Sequence, residues 1–542
     1  MSQVDIKTMP FNRESLDSLS DKYYANYPVV YFLNNDTTVY IGETVAVRNR
    51  MKNHLNNQER KSLNKMSLII HDRFNRSATY NIETKLINYF LADERYKLQN
   101  KSQTAKSVVH NYHNKPYFDE EVFGDIWDEL LKRKIVDHPR TAIENKDVFK
   151  LSPFKELTIE QLELQLKIIE VCEKHIADEQ TFVFLIKGEA GVGKSVVLSS
   201  VFNRIQELSK EKDSNLHGKE NYLLVNHSEM LKTYKKIAGN VKALSKKNFE
   251  KPTVFINKRK KLEKKAGIVL VDEAHLLLTK PDPYNSFTEE NQLQEIIRHS
   301  RVVIAVYDDK QVLKMKSYWD ESKLDSILGA CNTEEPYELT NQFRMRASSE
   351  MVKWIDQFVE KKITSLPEHP NYDFRIFESA AKMYEAIRAQ NEKHGLARIV
   401  STFDYVHKKD KQEYYIEEEG FKLPWNGDYK NDTWAEHADT IREAGSIYTI
   451  QGFDLNYAGV ILGPSISYDE ETDTLKILTE KYKDTEAYRG KDEFEDSESI
   501  KEKIILNSLN VLMKRGIHGL YLYASDPKLR ARLKELQRKE RL

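Results

Sequence analysis

The sequence has little cysteine, no long apolar run and almost no net charge. Two cysteines in 542 residues, Cys172 and Cys331, exclude a cysteine-rich zinc module and indicate a reducing, cytoplasmic location. No segment approaches ~18 consecutive apolar residues, and the first residues lack the apolar core of a signal peptide. We therefore expect neither a membrane span nor export. A net charge of −1 excludes a polycation, so any nucleic-acid surface must be a local patch.

The chain does contain enough apolar material for several ordinary cores. Hydrophobic residues make up 40% of the sequence, and its length predicts about three or four domains. Charge is unevenly distributed, because residues 210–265 hold 15 lysines and one arginine against six acidic residues. Either a solvated face or a phosphate-contacting surface accounts for that segment.

The most informative motif is a phosphate-binding loop in the stretch FVFLIKGEAGVGKS. An apolar strand precedes the loop and a helix follows it, and the glycines allow successive backbone N–H groups to point at phosphate oxygens. Lys194 can reach the β- and γ-phosphates, and the Ser195 hydroxyl can hold Mg²⁺. We therefore predict binding of ATP with Mg²⁺. The predicted phosphate-loop residues are Gly188, Gly191, Gly193, Lys194 and Ser195.

A second phosphate-site signal follows in AGIVLVDEAH, residues 266–275. The apolar run predicts a buried parallel strand. Its carboxyl end carries Asp272 and Glu273, and ligands of open α/β sheets bind at that edge. We predict that Asp272 binds Mg²⁺ and that Glu273 polarises the attacking water. The alternative is a core strand that ends in a surface acidic pair.

Residues 151–542 resemble a superfamily 1 helicase-type motor of the DUF2075 or Schlafen group 3-like DNA/RNA helicase kind. The resemblance rests on the two motifs above and on LTIEQ, LLVNHSEM, VVIAVYDDKQ, NQFRMR, GSIYTIQGFDL and NSLNVLMKRG. It implies an α/β fold with two RecA-like P-loop domains, at 151–330 and 331–542, whose sheets are parallel. It also implies DNA or RNA as the partner.

The same resemblance implies roles for individual residues outside the phosphate loop. An arginine from the second domain would stabilise charge on the transferred phosphoryl group, as a fixed positive fork. The implied residues are Gln161 for adenine, Gln311 for the γ-phosphate, Arg344 and Arg515 as arginine fingers, and Thr449, Gln451 and Gly452 for linking nucleic acid to the ATP site.

A separate set of polar residues lies near the N-terminus. In PVVYFLNNDTTVYIG, two apolar strands flank a turn at residues 34–36, which predicts a β-hairpin. A basic helix follows the hairpin. Further on, SATYNIETKLINYFL carries Glu83 on an apolar helix, where a carboxylate needs a cation partner.

Residues 26–103 resemble the GIY-YIG nuclease domain, with VVY in place of the first Gly-Ile-Tyr. That resemblance implies a small α/β domain that hydrolyses phosphodiesters with one divalent ion, Mg²⁺ or Mn²⁺, held by Glu83. It implies that Tyr31 activates water with help from Tyr40 or His54, and that Arg50 compensates charge on the phosphate. The matching residues are Tyr31, Tyr40, Ile41, Gly42, Arg50, His54, Glu83 and Asn100.

Residues 104–150 are predicted to form a helical connector, whose apolar residues recur at helical spacing. Either they dock the nuclease domain to the motor or they form an independent helix. We predict an ATP-dependent nuclease-helicase, and the resemblance implies anti-phage defence. Two alternatives stay open: a nucleotide-gated binding or signalling ATPase with an inactive or merely binding head, and a plain helicase with a degenerate head. The apolar connector residues are Phe123, Ile126, Trp127, Leu130 and Leu131.

Overall fold

The computed structural model describes most of the chain. Within the described ranges, none of the helices combines the length and apolar character that crossing a membrane requires. Three predicted site residues, Arg344, Gln451 and Gly452, lie outside those ranges. The described residues are 4–19, 25–100, 112–188, 191–262, 264–319, 321–339, 345, 347–368, 370–408, 410, 412–427, 429, 433–450, 453–489 and 496–540.

The chain forms two compact units, and the predicted domain boundaries stay a prediction beside them. Both units take in more than one segment of the chain. The first unit comprises Met1–Lys174, Ser195–Asn221 and Lys232–Phe249, and the second comprises His175–Lys194, Tyr222–Leu231 and Glu250–Leu542.

A five-stranded sheet of mixed direction opens the first unit. Its order is β1-β4-β2-β3-β5. β3 and β5 pair in parallel, and the β1–β4, β2–β4 and β2–β3 pairings are antiparallel. The side-chain oxygen of Asn35 accepts from the N–H groups of Thr37 and Thr38, which fixes the turn and confirms the predicted hairpin. The strands are β1 (Asp5–Pro10), β2 (Ala25–Asn34), β3 (Thr38–Ala46), β4 (Lys65–Ile70) and β5 (Lys97–Leu98), and the helices are Arg13–Asp17, Val47–Asn56 and Arg76–Asp93.

The connector packs on the helix Arg76–Asp93, which carries Glu83. The Tyr89 ring of that helix lies 4.7 Å from Phe123 and 5.0 Å from Trp127. Phe123, Ile126, Trp127 and Leu130 are buried, so the apolar face predicted from helical spacing is covered by the N-terminal domain. The connector helices are Lys115–Tyr117, Phe123–Lys132, Arg140–Asn145 and Asp147–Lys150.

A second sheet contains the phosphate-loop strand. The order is β11-β6-β10-β9-β7-β8, with β12 also paired to β6. β6 pairs in parallel with β10, β11 and β12, and β9 pairs in parallel with β10 and β7. Apolar runs such as Ile268 to Val271 are buried on both faces, as is typical of parallel strands. The strands are β6 (Phe182–Gly188), β7 (Tyr222–Val225), β8 (Phe249–Glu250), β9 (Ala266–Asp272), β10 (Ser300–Tyr307), β11 (Asn332–Thr333) and β12 (Tyr337–Leu339).

Helices accompany this part of the chain between its strands. The longest of them are Ile159–His175, before the phosphate loop, and Lys194–Leu208, directly after it. The others are Ser228–Asn240, Pro252–Leu262, Gln292–Arg298 and Glu321–Gly329.

A third sheet of parallel strands, ordered β13-β21-β18-β14-β17, lies in the second unit beside two small hairpins. Two parallel sheets in the region 151–542 agree with the predicted α/β fold class. The strands are β13 (Asp373–Ile376), β14 (Ala397–Ser401), β15 (Tyr415–Glu418), β16 (Phe421–Pro424), β17 (Ala444–Gly445), β18 (Leu455–Leu462), β19 (Ile466–Asp469), β20 (Thr474–Ile477) and β21 (Gly516–Ala524), and the helices are Ser349–Val359, Ala380–His394, Ile447–Ile450, Ser497–Met513 and Pro527–Glu540.

Candidate functional site

The phosphate loop joins β6 to the helix that begins at Lys194. Gly191 and Gly193 have φ values of 94° and 81°, a left-handed conformation that glycine adopts without a steric cost. The Nζ of Lys194 donates to the carbonyl oxygen of Gly188 at 2.6 Å and to the carboxylate of Asp308 at 3.0 Å. The lysine is therefore already held against an anionic group at the mouth of the loop.

Asp308 is a functional candidate that the sequence analysis missed. It follows the buried strand β10 and accepts a hydrogen bond from Nε2 of Gln311. Burial alone would raise the pKa of Asp308, but Lys194, His275 and the Gln311 hydrogen bond together hold it below its usual range. The available signal was the position of an aspartate at the carboxyl end of an apolar parallel strand.

The two predicted acidic residues lie where β9 ends. Asp272 is buried, and one of its carboxylate oxygens accepts from the N–H of Glu273 at 3.0 Å. Glu273 has a φ of 54°, an unusual backbone conformation for a residue with a side chain. Its carboxylate lies 3.0 Å from Nε2 of His275. Burial opposes ionisation, yet His275, Lys194 and Arg515 hold the pKa of Glu273 well below its usual range.

Arg515 and His227 belong to the same electrostatic neighbourhood as Glu273. The Arg515 side chain is buried, and its Nη1 donates to the carbonyl oxygen of Phe453 at 3.1 Å. The His227 ring lies 6.1 Å from the Phe453 ring. Burial lowers the pKa of His227 to about 4, and the charge of Arg515 acts in the same direction while Glu273 opposes it. We name the group Lys194, Glu273, His275 and Asp308 the Lys194 cluster.

Two predicted nucleotide residues lie in the other compact unit. Gln161 is buried, and its Oε1 accepts from the N–H of Thr158 at 3.1 Å, while Thr158 Oγ1 accepts from the N–H of Gln161 at 3.3 Å. This reciprocal pair is a helix capping box. The carbonyl oxygen of Ser195 accepts from the hydroxyl of Tyr234 at 3.3 Å. The roles of Gln161 at adenine and Ser195 at Mg²⁺ stay predictions.

Four predicted N-terminal residues come together in one group, which we name the Tyr31 cluster: Tyr31, Tyr40, Arg50 and His54. The Tyr31 hydroxyl lies 2.8 Å from Nε2 of His54 and accepts from Nε of Arg50 at 3.1 Å. Nη2 of Arg50 donates to the Tyr40 hydroxyl at 3.4 Å. A Cβ at Gly42 would collide with the Tyr31 phenol, so glycine is required there for the phenol to fit.

Burial keeps Tyr31 and His54 of this cluster uncharged, beside the guanidinium of Arg50. Burial raises the pKa of Tyr31 far above its usual range. Tyr40 and Glu83 add to the shift, and the charge and hydrogen bond of Arg50 oppose it. Burial also lowers the pKa of His54 to about 4, and Arg50 and Arg60 act in the same direction. Burial raises the pKa of Tyr80 as well, and the charge of Glu83 adds to that shift. Tyr80 is a neighbour that the sequence analysis did not single out.

Asn100, the last of the residues that match the nuclease domain, bonds to the backbone of β3. Its side chain accepts from the N–H of Ile41 at 3.1 Å and donates to the carbonyl oxygen of Ile41 at 2.8 Å. The segment at β5 is thereby tied to the strand β3. Across the described part of the chain, no three His, Cys, Asp or Glu side chains come together in a way that would hold a metal ion.

Comparisons with known proteins give these features a family context. Residues 181–526 match the family described as Schlafen group 3, DNA/RNA helicase domain. Uncharacterized protein YPL245W of Saccharomyces cerevisiae is 41% identical over 427 residues, which are 73% of this chain and 94% of that protein. A PRRSV helicase structure matches at 9% identity with a TM-score of 0.29, over 67% of this chain and 56% of that chain. The Pif1 helicase from Candida albicans matches at 12% identity with a TM-score of 0.28, over 70% of this chain and 99% of that chain.

Proposed function

We propose that the chain, which belongs to the Schlafen group 3 DNA/RNA helicase domain family, is an ATP-hydrolysing nucleic-acid motor, and that its separate N-terminal domain cleaves DNA or RNA. The observation that carries the nuclease half is the assembly of Tyr31, Arg50 and His54 within hydrogen-bonding distance. A role in anti-phage defence stays a prediction from the resemblance alone.

In the motor, the Lys194 cluster supports binding of a nucleoside triphosphate. The loop glycines, the helix N-terminus and Lys194 suit an anion, and the carboxylate of Asp308 now fills the anionic position beside Lys194. A triphosphate would take Lys194 from Asp308 when it binds. Asp272 and Ser195 are the residues that would hold Mg²⁺, whose charge would neutralise the phosphates.

Hydrolysis would then depend on groups that are kept ionised. Glu273 stays a carboxylate because His275, Lys194 and Arg515 lower its pKa, and a carboxylate can accept a proton from the attacking water. Arg515 supplies positive charge close to Glu273, where it would stabilise the developing charge on the phosphoryl group. Gln311, Arg344, Gln451 and Gly452 keep the roles that the family resemblance implies.

In the N-terminal domain, we propose that the Tyr31 cluster moves a proton during phosphodiester cleavage. Arg50 donates to the Tyr31 hydroxyl, so the phenol proton is directed to the neutral imidazole of His54. Water can pass a proton to the phenol as that proton moves on. Glu83 would hold Mg²⁺ or Mn²⁺, which when bound supplies Lewis-acid stabilisation of the phosphate. A single carboxylate suits Mg²⁺, which usually keeps waters and substrate phosphates as its other ligands.

The second candidate is a nucleotide-gated ATPase whose head only binds nucleic acid. The burial of Tyr31, which is fully shielded from solvent, favours it, because a phenol that activates water must reach water. Under this alternative, Glu83→Gln leaves every activity of the protein intact. ATP hydrolysis that no DNA or RNA stimulates would also favour it over the motor.

The test crosses Glu83→Gln with Lys194→Ala and follows cleavage of labelled DNA and RNA with Mg²⁺ or Mn²⁺, with and without ATP. We expect Glu83→Gln to abolish cleavage and spare ATP hydrolysis, and Lys194→Ala to abolish hydrolysis and the ATP-dependent part of cleavage. Matched controls are Glu94→Gln, at the exposed end of the same helix, and Lys187→Ala, exposed on β6.

Each half of the proposal has its own contrary result in that experiment. Cutting at full rate by Glu83→Gln would place the nuclease centre elsewhere. ATP-stimulated cutting that survives Lys194→Ala would remove the link between the motor and the nuclease.

A further inference from the structure

The helix that follows the phosphate loop is tied by a buried hydrogen bond to the end of the connector. Ser199 lies on the second turn of the helix Lys194–Leu208, and its Oγ donates to the carbonyl oxygen of Leu151 at 2.8 Å. Both residues are buried, and a hydrogen bond shielded from water is electrostatically stronger than an exposed one. The helix after the phosphate loop is therefore attached directly to the backbone at Leu151.

The next residue continues the connection to the helix that carries Glu83. The Oγ of Ser152 donates to Oδ1 of Asn88, and Nδ2 of Asn88 donates to the carbonyl oxygens of Phe154 and Thr84, both at 3.0 Å. Ser152 and Asn88 are buried. Asn88 lies on the helix Arg76–Asp93, and its partner Thr84 is adjacent to Glu83 in the sequence. The connection thus reaches the residue next to the proposed metal ligand.

The polar groups along this route satisfy one another. The amide of Asn88 uses its acceptor and its donors on partners from Thr84, Ser152 and Phe154. If the segment 151–154 moved without the helix, those buried groups would lose their partners, which is costly. The segment and the helix are therefore expected to move together.

We propose that Ser199, Ser152 and Asn88 are positioning residues that transmit occupancy of the phosphate loop to Glu83. The inference rests on the proposed function, because it names the regulation of that nuclease site. Phosphate at the N-terminus of the helix Lys194–Leu208 biases the position of that helix. The buried route then biases the helix Arg76–Asp93 and with it the placement of the Glu83 carboxylate. A ligand shifts such an equilibrium only by its differential affinity for the two positions.

The test compares Ser199→Ala with Ser200→Ala in the full-length protein. Ser200 is the neighbouring buried serine on the same helix, but its Oγ accepts from Nε2 of Gln165 at 2.8 Å instead of bonding the connector. Hydrogen exchange of the helix Arg76–Asp93 is measured with and without a non-hydrolysable ATP analogue and Mg²⁺. Direct binding of the labelled analogue to each variant is measured in parallel, as is ATP stimulation of cleavage.

In the wild type and in Ser200→Ala, we expect the analogue to change amide exchange in the helix Arg76–Asp93. In Ser199→Ala the exchange change is lost although the analogue still binds, and ATP stimulation of cleavage falls at least about fivefold, the lower end of ordinary allosteric coupling. Asn88→Ala is expected to act in the same way. Ser152→Ala provides a second variant at the same link should Asn88→Ala fail to fold. Thr79→Ala is the matched control, because Thr79 is buried on the same helix and its hydroxyl donates to the carbonyl oxygen of Arg76, one turn away.

Failure of this inference can be told from failure of the proposed function. An exchange response in Ser199→Ala equal to that of the wild type, or a wild type that binds the analogue without any exchange change in this helix, overturns the inference. If the wild-type protein shows the exchange response but cuts no DNA or RNA, the inferred connection stands and the nuclease proposal is contradicted. If the wild-type protein binds no ATP analogue, both the inferred connection and the proposed function are contradicted.

Discussion

The Tyr31 cluster and the Lys194 cluster are both buried assemblies of polar side chains, but burial leaves their titratable groups in different charge states. In the first, burial raises the pKa of Tyr31 and lowers that of His54 to about 4, so both groups are neutral near pH 7. In the second, the pKa values of Glu273 and Asp308 are lowered by neighbouring positive charge, so both stay ionised. Desolvation acts on both regions. In the Lys194 cluster neighbouring positive charge outweighs it, whereas at Tyr31 desolvation outweighs the opposing effect of Arg50.

The difference matches the chemistry proposed for each region. In the first region the phenol can pass its proton to the neutral imidazole of His54 while it takes one from water, whereas in the second a charged lysine already paired with a carboxylate can exchange that partner for a phosphate. A buried ion without a partner is costly. We therefore expect substitutions in the Tyr31 cluster to affect proton transfer during cleavage, and substitutions in the Lys194 cluster to affect the buried ion pair.

The largest expected effect is on cleavage when the Tyr31 hydroxyl is removed. Tyr31→Phe keeps the ring in the core but deletes the group that Arg50 and His54 share. We expect cleavage to fall about 10²–10⁴-fold, the usual range for loss of an acid–base group, with ATP hydrolysis unchanged. Single-turnover cleavage with labelled nucleic acid measures this.

A matched control for that substitution is Tyr27→Phe on the same strand, whose hydroxyl donates to the backbone at His71 and Asp72. It should leave cleavage within about twofold. Equal losses of cleavage in the two variants would mean that the Tyr31 hydroxyl has a structural role only. The Tyr31 cluster would then not be a proton-transfer site.

The next effect concerns stability in the Lys194 cluster. Asp308→Asn takes the carboxylate from Lys194 and leaves a buried charge with a weaker partner. We expect the free protein to lose about 3–5 kcal/mol of stability, the range seen when one member of a buried ion pair is removed. ATP should restore more stability in the variant than in the wild type, because phosphate replaces the missing anion. Thermal unfolding with and without ATP analogue measures both quantities.

Asp325→Asn, at an exposed position on the helix Glu321–Gly329, serves as the control for charge removal alone. If Asp308→Asn unfolds at the wild-type temperature and gains nothing extra from the analogue, then Asp308 does not occupy the anionic position beside Lys194.

A smaller effect is expected where Asn100 ties β5 to β3. Asn100→Ala leaves the N–H and carbonyl oxygen of Ile41 without these side-chain partners. We expect a loss of about 1–3 kcal/mol in the free energy of unfolding, the cost of unsatisfied buried polar groups. Urea denaturation of Asn100→Ala beside the exposed Asn53→Ala checks it, and an identical midpoint for the two variants would contradict it.

The smallest effect is a change in how stability depends on pH. His54 has a folded pKa of about 4, against about 6.5 in an unfolded chain. As the pH falls from about 6.5 to about 4, the unfolded state takes up a proton that the folded state does not, so stability falls. His54→Gln removes this contribution and should lose less stability between pH 7 and pH 5 than the wild type. Urea unfolding at the two pH values measures the slopes, and parallel slopes would contradict the low pKa.

Much of the local structure was predictable from the sequence. Two short apolar runs on either side of the turn at residues 34–36 predicted the β2–β3 hairpin, and the glycine-rich loop before Lys194 predicted the strand, turn and helix that the structure has. These signals are short range, because turn residues and loop glycines constrain neighbouring residues directly. The apolar spacing of the connector predicted its buried face, but not which surface covers it.

The partners of the site residues were not predictable in the same way. Asp308 follows Lys194 by 114 positions, and nothing in either motif specifies their pairing. His275 lies in the motif VDEAH, but only the 3.0 Å distance between its Nε2 and the Glu273 carboxylate shows that it is an ion-pair partner of Glu273. Likewise, Gln161 was predicted for adenine, while its observed hydrogen bonds cap a helix.

The sequence by itself determined the phosphate loop, the acidic end of β9, the hairpin and the helical residues of the Tyr31 cluster, since each depends on neighbours within a few positions. Only the tertiary structure decided that Lys194 pairs with Asp308, that His54 meets Tyr31 and that Ser199 and Asn88 reach the same short segment. The physical reason is that strand pairing and helix packing bring distant residues into contact, and burial then sets which of them are charged.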